Sequence, residues 1–154
     1  MFEDYEALYM ALMGLTGGPY EDDFDALAPA AQAMYVAAIL DMEIQNGGAV
    51  QFFANWGANC ALRAAESLRM VGLPRMARTY ESFLAEHDFE IHDLKDFDCG
   101  EDVEAFVALY DKYGFLNELD ELYMELREEE DFEARMLECA AKNADIFRES
   151  GMGE

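Results

Sequence analysis

The chain has 154 residues, 34 acidic and 10 basic, giving a net charge of −24 and an isoelectric point near 4.1. That balance argues against direct binding to nucleic acid or an anionic membrane surface and favours basic partners. A hydrophobic content of 53% with 13% aromatics argues against disorder, and the length suits one domain spanning 1–154 that buries roughly 70% of its unfolded surface.

No apolar run reaches the roughly 18–20 residues that span a bilayer. Residues 1–15 lack a basic start and read as an amphipathic helix rather than a leader, so the expected location is cytoplasmic. Cys60, Cys99 and Cys139 are odd in number and far apart, which suits reduced, buried thiols.

In chain order, Phe2, Tyr5, Leu8, Tyr9 and Leu12 recur at helical spacing over residues 2–13. Gly14 to Pro19 is a turn-rich break, followed by the acids Glu21, Asp22, Asp23 and Asp25. Pro29 suits the first turn of a helix running over about 28–45. The apolar pattern of Val36, Ile39 and Leu40 then meets Asn46, Gly47 and Gly48, residue types that adopt left-handed backbone angles at little cost. It resumes with Val50, Phe52, Phe53 and Trp56, so a helix–turn–helix corner is expected, with Gln51 and Asn55 tying down the turn. A short helix over 49–56 and another over 58–71 follow, the latter with Leu62, Ala65 and Leu68 facing inward.

Gly72 and Pro74 mark the next stop and start, and Met76, Tyr80, Phe83 and Leu84 form an inward stripe. Periodicity fails from about 87 to 102, an acidic loop. Val103, Phe106, Val107, Tyr110 and Tyr113 form a further stripe closed by Gly114. Asn117 is expected to cap a helix carrying Leu119, Leu122, Tyr123 and Leu126. Phe132, Met136, Cys139, Ala140, Asn143 and Phe147 continue the period in a last helix. Whether these last two are one kinked helix or two, broken near 129–131, periodicity leaves open. The fold class is all-α, with about seven helices.

Charge is unevenly placed. The first 62 residues hold nine acids and no Lys or Arg, residues 63–80 carry Arg63, Arg69, Arg75 and Arg78 against Glu66, and residues 81–133 hold twenty acids. Glu118, Glu121, Glu125 and Glu128 recur at helical spacing on one face, away from Leu119, Tyr123 and Leu126. A net charge of roughly 2–8 suffices for the solubility of a small domain. The observed −24 equals that of roughly 40 Å of duplex DNA, near the diameter of a compact chain of this length.

Other chemistries are less well marked. His87, Asp88, Glu90, His92, Asp93, Asp96 and Asp98 crowd the loop, but no metalloprotease or EF-hand spacing is present, because Gly100 stands where a calcium loop starting at Asp96 needs a ligand. No Gly-rich phosphate loop or nucleophile elbow occurs. Glu43 beside the corner is the best single candidate for a catalytic carboxylate. No metal and no cofactor is expected. The four Arg over 63–78 pair with the molecule's own acids or, alternatively, with a second copy.

Glu43, Asn46, Gly47, Gly48, Gln51, Phe52, Phe53 and Asn55, followed by Trp56, resemble the signature of a bacterial family best known for an acidic DNA-mimic protein. The likeness extends thinly to Leu119–Tyr123 and covers about 26–143. Gln45 and Ala49 depart from the family pattern, standing where an Asn and an aromatic are usual. The resemblance implies a non-enzymatic homodimer whose acidic surface occupies the DNA-binding face of a basic protein such as a helix-turn-helix transcription regulator. The alternatives are an enzyme or metal-dependent hydrolase with a site near Asn46–Gly48, or a binding module whose acidity is incidental.

Overall fold

The computed structural model describes residues 2–18, 21, 23–87 and 97–149. Among them are seven α-helices, one short 3-10 turn (Phe24–Ala26) and no strand. The helices are α1 (Tyr5–Met13), α2 (Pro29–Met70), α3 (Pro74–Glu86), α4 (Val103–Lys112), α5 (Leu116–Glu129), α6 (Phe132–Lys142) and α7 (Asp145–Glu149).

Helix α2 organises the rest. Its 42 residues are not one rod, because Gly48 (φ 85°, ψ 179°) and Gly57 (φ 67°, ψ −163°) leave the helical region. Positive φ with ψ near 180° is a conformation essentially restricted to glycine, so both breaks depend on that residue type. They divide α2 into segments 29–47, 49–56 and 58–70, close to the three helices expected from sequence. Helices α3 and α5 pack against α2 and each other, while α1 lies against α2 and α6. One continuous core results, with Phe24, Phe52, Phe53, Phe97, Phe132 and Phe147 among its largest fully buried side chains.

Local chemistry sets most boundaries. Asp4 caps α1 by accepting the Ala7 N–H at 2.9 Å, Pro29 and Pro74 open α2 and α3, and Gly72 (φ 95°) follows α2. Asp102 caps α4 through the Ala105 N–H. Asp131, in the left-handed region at φ 57°, caps α6 through Ala134 and separates it from α5. The open question near 129–131 therefore resolves into two helices, and a further break at 143–144 detaches α7 from the expected last helix.

Three orientations differ from the sequence reading. Leu62 is 66% exposed, not inward, because the Gly57 break leaves Cys60, Ala61, Ala64, Ala65 and Leu68 on the buried side. On α4, Val103 and Val107 are exposed, and Leu109 with the following Tyr113 supplies the buried contacts. Asn117 does not cap α5, which begins one residue earlier at Leu116 behind Phe115. In the expected acidic loop, 88–96 lie outside the described residues, but Phe97 is fully buried against Phe53 and Tyr113, with ring centroids 5.6 and 4.5 Å away.

Candidate functional site

The Gly48 corner is held by groups from three other places in the chain. A helix that restarts at Ala49 exposes backbone N–H groups with no partner inside the helix. The Asp120 carboxylate of α5 fills that role, accepting the Ala49 N–H at 2.8 Å. A β-carbon on Gly48 would stand 2.4 Å from Asp120 Oδ2, so the bare backbone admits the carboxylate. Tyr110 of α4 donates its hydroxyl to the Gly47 carbonyl at 2.9 Å, and Asn55 Nδ2 donates to Glu43 Oε2 at 2.8 Å across the turn. Gln51 lies over Gly47, where a β-carbon would meet Gln51 Oε1 at 2.1 Å. Burial pushes the Asp120 carboxyl up to about 6, partly offset by the Ala49 N–H.

Two turns earlier on α2, Asp41 is 1% exposed and fully engaged. It accepts from Tyr123 Oη at 2.6 Å, Arg127 Nε at 2.7 Å and Nη2 at 3.1 Å, and Gln45 Nε2 at 2.7 Å. Arg127 also donates to Glu133 at 2.9 Å and lies over the Phe132 ring. Burial opposes the guanidinium charge, but the Asp41 and Glu133 partners outweigh it and hold Arg127 above its ordinary value. Burial and then Asp41 raise the Tyr123 hydroxyl well above the usual tyrosine range.

Asp120, Tyr123 and Arg127 are spaced by three and four, so they share one face of α5 and bind α2 at two points, Ala49 and Asp41. On other faces of α5, Glu118, Glu121, Glu125 and Glu128 are all exposed. None of these four makes an ion pair among the described residues. The acidic stripe thus rides on a helix whose other side is fastened by a buried polar clamp.

The remaining sequence candidates fall into place around the clamp. Glu43, Gly48, Phe52 and Phe53 are buried, Gly47, Gln51 and Trp56 are half-buried, and Asn46 and Asn55 are exposed at the rim. Arg63 pairs with Asp25, Arg69 with Glu66 and Glu81, and Arg75 with Glu129, so three of the four Arg over 63–78 meet acids of the same molecule. Among the described residues no group of three or more His, Cys, Asp or Glu is disposed to hold a metal ion. The loop candidates Asp88, Glu90, His92, Asp93 and Asp96 lie outside the described residues, and His87 stacks on Phe115 and lies tilted against Phe83. Burial pushes the Cys60 thiol up to about 12, which suits an inert structural cysteine. None of the described helices is long and apolar enough to cross a membrane.

Sequence reasoning read Tyr110 and Tyr123 only as members of apolar stripes and assigned no polar role to Asp41, Asp120 or Arg127. Two signals mark the clamp in hindsight. Asp41 interrupts an apolar run after Ile39 and Leu40, and Arg127 is the one base between 113 and 134, four residues after an inward Tyr.

Fold and site together define an all-helical protein of extreme acidity, with an exposed carboxylate stripe backed by a buried polar clamp. The chain belongs to the DMP19-like protein family, named for a DNA mimic protein, whose family model matches residues 25–148. No curated protein and no solved structure matches the chain.

Proposed function

We propose that this protein is a non-enzymatic DNA mimic, whose acidic surface binds the DNA-binding face of a basic protein such as a helix-turn-helix transcription regulator. One observation carries the reading. Glu118, Glu121, Glu125 and Glu128 are exposed and unpaired among the described residues, while Asp120, Tyr123 and Arg127 on the same helix are anchored inward. From the first to the last of these Glu the helix rises about 15 Å. One DNA strand places four to five phosphates, roughly one per 3.4 Å, over the same axial length. Fixed spacing matters because a partner's Arg and Lys are arranged for a rigid duplex, and a preorganised ligand loses less entropy on binding.

Membership of the family supports the same reading, and the net charge of −24 supplies long-range attraction to a basic partner. The mimic acts as a homodimer in this proposal, joining two acidic surfaces into a longer one. Against a hydrolase at the corner stands Glu43, which is buried and engaged by Asn55, a holding role rather than a catalytic one.

Competition provides the test. DNA and this protein should be mutually exclusive ligands of the partner, and affinity should fall with salt as screening shortens to roughly 8 Å at physiological ionic strength. Replacing Glu118, Glu121, Glu125 and Glu128 by Gln should weaken binding by more than the same number of changes at Glu3, Asp4, Glu6 and Glu21. Equal losses from the two sets would reduce the stripe to diffuse charge, and simultaneous binding of DNA and this protein would refute mimicry.

A further inference from the structure

Helix α1 lies outside the residues that match the family, and it forms a cleft of about 510 Å³ with the first segment of α2. The α1 wall presents Tyr5, Glu6 and Tyr9, and the α2 wall presents Asp41, Met42, Gln45 and Asn46. The volume falls within the roughly 300–1,000 Å³ of small-ligand sites.

We propose that this cleft is a binding site for an organic cation, an ammonium or guanidinium group on a short alkyl stem. Among the described residues, its lining carries no Lys, Arg or His. Asp41 is already paired with Arg127, but Arg127 also holds Glu133, so that trio sums to minus one and Glu6 adds a second negative charge. An anion is repelled by that balance, and a wholly apolar ligand would desolvate the carboxylates without compensation. The Tyr5 and Tyr9 rings stand 6.5 Å apart and tilted by 54°, aromatic faces of the kind that attract cations, while the half-buried Met42 offers a soft apolar contact for a stem.

The Tyr5 hydroxyl is an independent sign. Tyr80, Tyr110 and Tyr123 each give their hydroxyl to an acceptor, at 3.1, 2.9 and 2.6 Å. The Tyr5 hydroxyl is buried and has no hydrogen-bond partner among the described residues. Burying such a group unsatisfied is costly, so its place beside the Asp41–Arg127 pair marks an incomplete polar wall. This inference does not rest on the mimic reading, because the cleft and the α5 stripe share no residue.

Two probes distinguish a free ligand from a partner's side chain: n-butylguanidinium, and a blocked Gly-Arg-Gly tripeptide. Calorimetry and the methyl NMR signal of Met42 report binding to the full chain. The expected result is saturable one-to-one binding that shifts Met42. Affinity should fall at least tenfold in Tyr9→Ala and about threefold in Glu6→Gln, and stay within twofold when Glu118, Glu121, Glu125 and Glu128 are changed to Gln. Circular dichroism verifies that Tyr9→Ala is folded, and Glu6→Gln changes only an exposed side chain. Binding of the tripeptide as well as the free cation assigns the cleft to a protein-borne Arg, and binding of the free cation alone assigns it to a small molecule. The proposal fails if neither probe shifts Met42, or if the stripe variant lowers affinity as much as the two cleft variants do.

Discussion

Replacing Gly48 by Ala tests the corner directly. The backbone there has φ 85° and ψ 179°, a region essentially closed to residues with a β-carbon, at a general cost of about 1–3 kcal/mol. The added carbon would also lie 2.4 Å from Asp120 Oδ2 and push that carboxylate off the Ala49 N–H, which it accepts at 2.8 Å. A hydrogen bond to a charged group contributes about 1.5–3 kcal/mol, so the combined loss is roughly 3–5 kcal/mol. Gly100 is the control, with positive φ of 56° and no described atom within 4 Å of where a β-carbon would stand, so Gly100→Ala should cost about 1–2 kcal/mol. Urea denaturation of both variants gives the comparison, provided the slope with denaturant is unchanged. In the double variant Gly48→Ala/Asp120→Ala the collision disappears, so its loss should be less than the sum of the two single losses. If Gly48→Ala costs no more than Gly100→Ala, the close approach of Asp120 has no energetic meaning and the clamp reasoning is wrong.

Other consequences of the clamp are equally open to measurement. The Asp120 carboxyl, raised from 3.8 to about 6, binds its proton more tightly folded than unfolded, so its stabilising contribution is full below 3.8 and is lost as pH rises through 6. Asp120→Asn should therefore be more stable than the parent at pH 8, by about 1–1.5 kcal/mol once partial solvent exposure is discounted, and the gap should close towards pH 4; a gap independent of pH would contradict this. Arg127→Met strands the buried Asp41 charge and should cost about 3–5 kcal/mol in thermal or urea unfolding, whereas a loss below about 1 kcal/mol would show the pair to be dispensable. Cys60, buried with its thiol pushed up to about 12, should resist iodoacetamide at pH 8 until the chain unfolds, as read by mass spectrometry of the alkylated peptides.

Sequence by itself determined the helical class, the punctuation and the stripe. Apolar spacing at 3.6 residues marks helices wherever they bury one side, and Pro29, Gly48, Gly72 and Pro74 act through backbone sterics that need no tertiary partner. Glu118, Glu121, Glu125 and Glu128 share a face for the same local reason. Tertiary structure decided which side of each helix turns inward and which polar groups meet. Leu62 looks like a core residue in any one-dimensional pattern, yet the Gly57 break rotates small side chains into the interface instead. Asp41 and Arg127 are 86 positions apart, and Ala49 and Asp120 are 71 apart. Nothing local couples such residues. Their pairing follows from α5 packing against α2, where a buried carboxylate must find donors or lose its charge, and that requirement is visible only once the helices are placed.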